Sequence, residues 1–232
     1  MCARTHEGID DGRTTEVSDR AKTLTPGEAS RALYIDFEGE KGKAPVLLGC
    51  VNRPGKGEPP WVWQAVTSEL FKPLVRSDDI VLLPLPDTVE RIVARAEAKD
   101  RLIVAWSEHE LNIVKEHCPE KLERFESRFV NARRVAVRWR NKCHAGQRPD
   151  VNTLAAYLDL MGYRITPGGE AGRAGETIRI VRTSLEKGRG LAGLTENQLR
   201  RWKDLRQHNR DDCLGMRKVC LRAAREIAEH AA

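Results

Sequence analysis

Long apolar runs are missing from this 232-residue chain, and aromatic side chains make up only 5% of it. A membrane-crossing helix needs about 20 consecutive apolar residues. No stretch approaches that, so no membrane association is expected. The opening MCARTHEGIDDGRTTEVSDR lacks the apolar core of a secretory signal, which makes the cytoplasm the expected compartment. The six cysteines (Cys2, Cys50, Cys118, Cys143, Cys213, Cys220) contain no C-x-x-C pair and are expected to be free thiols, several of them buried. The neighbours His117 and Cys118, and Cys143 and His144, match no zinc finger or ribbon spacing. There is no G-x-x-x-x-G-K-[ST] segment and no internal repeat. The glycines of TPGGEAGRAGE follow a helical pattern instead of opening a helix after a strand, so they read as a flexible loop and not as a phosphate cradle.

Charge, by contrast, is abundant. Asp, Glu, Lys and Arg make up 32% of the chain, with a formal net charge of +6. That excess permits an anionic partner. Its distribution says more, because RFVNARRVAVRWRNKCHAGQR, Arg128 to Arg148, contains no Asp or Glu. Within it Arg133, Arg134, Arg138, Arg140 and Lys142 could face the phosphates of DNA or RNA while Trp139 stacks on a base. A solvated basic face explains the same strip equally well.

Residues 1–28 are polar and turn-rich and read as a disordered tail, with a single domain over 29–232. RALYIDFEGEKG opens that domain as a strand, and APVLLGCVN and PPWVWQAV follow as two more in a meander, joined by the turn RPGKGEPP. The period then changes. LPDTVERIVARAEAKD is helical with Asp87 as its N-cap, RLIVAW is a strand, and SEHELNIVKEHC and PEKLERFESRF are helices. RRVAVRW reads as a further strand or an extended basic segment, NTLAAYLDLMGY as a helix stopped near Gly162, and Thr195 to His230 as a long final helix. Strands followed by alternating helix and strand predict an α/β fold with a mixed sheet, antiparallel in its first three strands and then parallel, flanked by helices.

Carboxylates sit at unusual places in this pattern. On the first strand Tyr34, Asp36 and Glu38 share one face, and successive members of that face lie about 7 Å apart. Amphipathic alternation and a metal-binding pair predict the same residues there. On the last helix an apolar stripe through Trp202, Leu205, Met216, Val219, Ala223 and Ile227 also runs through Asn209 and Asp212. A carboxylate buried there needs a cation, either a metal ion or an arginine. Glu110 follows the strand LIVAW, where open α/β sheets place their sites, although Ser107 and Glu110 also form a capping box.

The order and contexts of these acids resemble the DEDD exonuclease branch of the ribonuclease H-like superfamily. YIDFEGE offers its first-strand D-x-E at Asp36 and Glu38, IVAWSEHELNIV its second acid at Glu110, and LRQHNRDDCLGMRKV its third motif, with His208, Asn209 and Asp212. The resemblance spans most of residues 31–225 and is closest to nuclease domains whose second motif carries Glu and whose third reads roughly Y-N-x-x-D. It implies a 3'-5' exonuclease that hydrolyses nucleic-acid phosphodiesters with two Mg²⁺ or Mn²⁺ ions held by Asp36, Glu38, Glu110 and Asp212. His208 would deprotonate or position the attacking water. Two departures stand out. Glu110 occupies a position usually held by Asp, and His208 precedes Asp212 by four residues, the spacing of the Tyr subclass. Asp211 is the fallback to Asp212, and a surface histidine is the alternative for His208. The competing function is an inactive ribonuclease H-like module that binds nucleic acid through the basic strip.

Overall fold

A computed structural model describes residues 24–52, 61–147, 149–163 and 173–231. The chain enters through buried Leu24 and a capped helix, α1 (Pro26–Arg31). Thr25 accepts a hydrogen bond from the Glu28 backbone N–H, while the Glu28 carboxylate accepts one from the N–H of Thr25, which satisfies two otherwise orphaned donors. Packed structure therefore starts before the residue-28 boundary expected for the tail, whose residues 1–23 lie outside the described ones.

Strands β1 (Leu33–Glu38), β2 (Leu47–Asn52) and β3 (Trp61–Val66) form the expected antiparallel meander; its turn at 53–60 falls outside the described residues. A 3₁₀ turn at Glu69–Leu74 leads to β4 (Ile80–Leu82), a short strand parallel to β3 that the sequence pattern did not suggest. Then come α2 (Leu85–Ala98), β5 (Ile103–Ala105), α3 (His109–His117), α4 (Leu122–Glu126) and β6 (Phe129–Asn131). Asp87 lies in the first turn of α2 and Pro84 takes the N-cap position. An acid in a first turn still favours the helix dipole. The remaining helices are α5 (Ala132–Cys143), α6 (Leu154–Leu160), α7 (Ala174–Leu185) and α8 (Glu196–Glu229). The end of the expected glycine-rich loop thus opens α7, while residues 166–172 of it are not described.

The sheet runs β4-β3-β2-β1-β5-β6, with β5 and β6 parallel to β1. Alternation on β1 sends Leu33, Ile35 and Phe37 to one face, where Val89, Ile92 and Val93 of α2 and Val114 of α3 cover them. Tyr34 turns to the other face and packs under α8 against Cys213, Met216, Val219 and Cys220, while its hydroxyl donates to the Ala29 carbonyl at 2.6 Å. A mixed α/β sheet covered by helices on both faces is what the sequence predicted. The segment RRVAVRW departs from it. It forms helix α5, capped by the Asn131 side chain accepting from the Arg134 N–H, and it buries Ala132, Val135, Ala136 and Trp139 at helical spacing.

Candidate active site

Parallel strands β1, β5 and β6 end at one edge of the sheet, and that edge gathers the carboxylates. Asp36 and Glu38 occupy the carboxyl half of β1, and Glu110 sits in the first turn of α3, just after β5. Asp212 comes from the middle of α8, which crosses the same edge over β1 and β2.

Helix α8 is tied to the sheet through Asn209, which is completely buried. Its side-chain amide donates to the Asp36 carbonyl at 3.0 Å and to Asp36 Oδ2 at 2.8 Å. Its Oδ1 accepts from Gln64 Nε2 at 3.0 Å, and the same Gln64 nitrogen donates to the Arg206 carbonyl. Arg206 returns a bond to Gln64 Oε1 at 2.9 Å and pairs with Asp79 at 3.0 Å. Asp36, Gly49 and Gln64 are register partners across β1, β2 and β3, so the Asn209 amide lies over one row of the sheet. Gly49 makes room for it. A Cβ there would fall 2.2 Å from Asn209 Oδ1, and glycine within a strand often marks such a close approach.

Burial and mutual repulsion act together on these carboxylates. Burial pushes the Asp36 carboxyl well above its ordinary range, followed in order by the charges of Glu38, Asp212 and Glu110; the Asn209 hydrogen bond opposes them. Glu38 is pushed to about 8 by burial, then by Asp212 and Glu110. Glu110 rises to about 7 through burial, partly offset by hydrogen bonds from its own backbone and from Ser107. The expected capping box does not form, because Glu108 takes the N-cap position of α3 without a side-chain cap bond and Ser107 Oγ accepts from the His109 N–H at 3.1 Å. Glu110 Oε2 is left buried with no partner. Among the described residues no Lys or Arg pairs with Asp36, Glu38 or Glu110, whereas Glu40, two residues beyond Glu38, takes Arg182 at 2.6 Å and Lys43 at 3.1 Å.

Asp212 differs from its expected setting. The buried stripe of α8 passes from Asn209 to Cys213 and Met216, and the Asp212 side chain, 36% exposed, flanks it. One position is about 100° around a helix, enough to turn Asp212 toward the edge of the site instead of into the core. Burial raises its pKa, while the nearby His208 charge opposes that rise and Asp211 adds to it. His208 Nε2 stands 3.6 Å from Asp212 Oδ2, and Asp211 is exposed and bonded to Gln207.

The donor set, oxygens only with one bare and buried, fits a hard divalent cation such as Mg²⁺ or Mn²⁺. As they stand, no three His, Cys, Asp or Glu side chains among the described residues are grouped to hold a single ion.

The basic strip divides in two. Arg133, Arg134, Arg138 and Lys142 lie exposed along α5 and, with Val137 and Asn141, line a groove of about 580 Å³. Arg134 pairs with Glu108, just before α3, so the groove starts at the acidic edge. Trp139 and Arg140 do not belong to it. Trp139 is 1% exposed and donates its indole N–H to Glu226 at 2.6 Å, which leaves no face for a base. Arg140 reaches Asn152 and the Tyr157 hydroxyl. Gln64, Gly49 and Arg206 escaped sequence reasoning. Gln64 and Gly49 left only the trace of a polar residue and a glycine inside apolar strands, and Arg206 left none among the other arginines of α8.

No family model, curated protein or solved structure matches the chain. The class that fold and site define is therefore an α/β protein with a mixed six-stranded sheet and a carboxylate cluster at its carboxyl edge. Among the described residues no helix is long and apolar enough to cross a membrane.

Proposed function

We propose that this protein is a metal-dependent nuclease with a ribonuclease H-like fold, hydrolysing nucleic-acid phosphodiester bonds as a 3'-5' exonuclease of the DEDD kind. One observation carries the reading. Acids from β1, α3 and α8 lie near enough to raise one another's pKa, although no three of them are yet grouped around one point, and among the described residues Asp36, Glu38 and Glu110 have no basic partner in a protein that has arginines to spare. Burying unpaired carboxylates costs several kcal/mol unless something compensates. Two Mg²⁺ or Mn²⁺ ions held by Asp36, Glu38, Glu110 and Asp212 would supply that charge, polarise the phosphate and lower the pKa of water.

Asn209 fixes the carboxylate plane of Asp36, the acid on which the other three act. His208, with Asp212 beside its Nε2, takes or orients the proton of the attacking water at that nitrogen. Arg133, Arg138 and Lys142 hold phosphates of the substrate strand along α5. The α5 groove alone favours a second reading, an inactive module that binds nucleic acid.

Titrating Mn²⁺ into purified protein with end-labelled single- and double-stranded DNA and RNA separates the two. The nuclease reading expects metal-dependent cleavage that disappears in Asp36→Ala and Asp212→Ala. Metal-independent binding without cleavage by the wild type leaves only the module.

A further inference from the structure

The opposite edge of the sheet carries its own charged cavity. About 260 Å³ in volume, it is lined by Glu28, Arg31, Asp100, Arg101, Leu102, Ser127 and Arg128. Arg31 ends α1 just before β1, Arg101 precedes β5, and Arg128 precedes β6, so three arginines meet where the parallel strands begin. The length of β1, ~17 Å at about 3.3 Å per residue, separates them from the acidic edge.

We propose that this cavity is an anion site that binds a small phosphate or phosphomonoester dianion between Arg31, Arg101 and Arg128.

The two acids of the lining are already engaged. Glu28 Oε2 accepts from the Thr25 N–H and hydroxyl, both at 2.8 Å, as the cap of α1. Asp100 pairs with Arg128 at 3.1 Å from a side chain that is 91% exposed. Asp100 also carries a left-handed φ of 44°, which ends α2 and turns the next residue, Arg101, inward. Arg101 is only 9% exposed, and its guanidinium donates to buried Asn52. Arg128 is held by the Arg101 carbonyl at 3.3 Å as well as by Asp100. Two guanidinium groups are thus fixed in place by the fold, and Arg31 stands exposed at the rim.

Fixed guanidinium forks match tetrahedral oxyanions and give up little entropy on binding. Burial lowers the Arg101 pKa, and the charges of Arg95 and Arg31 lower it further, so positive charge is concentrated at the cavity. Volume selects the size class, since drug-sized ligands occupy roughly 300 to 1,000 Å³. The cavity suits a phosphate bearing at most a small organic group. Nothing in this argument depends on the nuclease reading.

Calorimetric titration of the full chain in EDTA, with inorganic phosphate and ribose 5-phosphate against chloride at matched ionic strength, tests it. Saturable one-to-one binding is expected, weakened at least tenfold in Arg31→Glu and unchanged in Lys203→Glu, an exposed change on α8 away from the cavity. The two phosphates side by side tell a free ion from a phosphomonoester. Circular dichroism checks that Arg31→Glu, an exposed change, keeps the fold. Absence of saturable heat, equal affinity in Arg31→Glu, or loss in Lys203→Glu instead, overturns the site.

Discussion

Replacing Glu38 by Gln should make the metal-free protein more stable, although it removes a candidate metal ligand. Burial and two neighbouring acids hold the Glu38 carboxyl near 8 against an ordinary value of 4.5. A folded-state pKa raised this way gives stability that is complete below about 4.5 and lost as pH rises through about 8. At 1.36 kcal/mol per pKa unit the loss has a ceiling of about 5 kcal/mol; shared repulsion and local relaxation bring the working figure to roughly 2 kcal/mol. Gln keeps the shape and cannot ionise, so Glu38→Gln should gain that amount at pH 8 and almost nothing at pH 4. For a chain of this size a gain of ~2 kcal/mol corresponds to about 4 to 8 °C in Tm. Urea and thermal unfolding of both proteins at the two pH values in EDTA provide the assay. Added Mn²⁺ should stabilise the wild type more than the variant and narrow the gap at pH 8. If Glu38→Gln unfolds at the same or lower urea than wild type at pH 8 in EDTA, the carboxylates do not strain one another and the electrostatic reading of the site is wrong.

A methyl group at Gly49 would meet Asn209 Oδ1 at 2.2 Å, Asn209 Cγ at 2.9 Å and Cys213 Sγ at 3.2 Å. Gly49→Ala should therefore cost about 1–3 kcal/mol in urea unfolding, by overpacking against α8, and abolish any Mn²⁺-induced stabilisation because Asp36 loses its tether. On the far side of the fold, Glu226 accepts from the Trp139 indole, His144 and Arg222, which together hold its carboxyl near 2 despite its partial burial. Here the folded value is depressed, so the stability is present above about 4.5 and lost as pH falls through about 2. Glu226→Gln should lower stability at pH 7 by ~2 kcal/mol and leave the two proteins nearly equal at pH 2, read by acid titration of tryptophan fluorescence.

Much of the fold was legible because its longest patterns are periodic. Alternation in LYIDFE fixes which residues of β1 face α8, and the structure keeps Leu33, Ile35 and Phe37 together on the opposite side. RRVAVRW failed for a specific reason. Val135, Val137 and Trp139 alternate as a strand would, while Ala132, Val135, Ala136 and Trp139 also match a helix, and only the packing of α5 against α8 decides. The same decision withdrew Trp139 from the basic surface, since the helical period turns its ring into the core. Asp212 was displaced by a smaller effect. The helical pattern runs a stripe through Asn209 and Asp212, but its buried course takes the four-residue step from Asn209 to Cys213. Gln64 could not be found from its own neighbourhood, because its partners, Arg206 and Asn209, lie some 142 and 145 positions away.

A cluster of repelling acids should push α8 off the sheet, so something must hold it. Apolar anchors sit on both sides of the site along the helix. Trp202 and Leu205 pack with Phe71, Ile178 and Val181, while Met216, Val219 and Cys220 pack over Tyr34 and Val51. Each such side chain contributes about 1.5–3 kcal/mol by burial, so a handful outweighs the repulsion at the centre. Asn209 then sets the register. Its amide is satisfied on both sides, by Gln64 and by Asp36, and a slip of one residue would bring an arginine or a histidine over Gly49 and leave Gln64 unpaired. The charged row is consequently held open by packing it does not contribute to. Fixed carboxylates whose repulsion is already overcome lose little freedom when a cation arrives, which is the condition for tight and oriented binding.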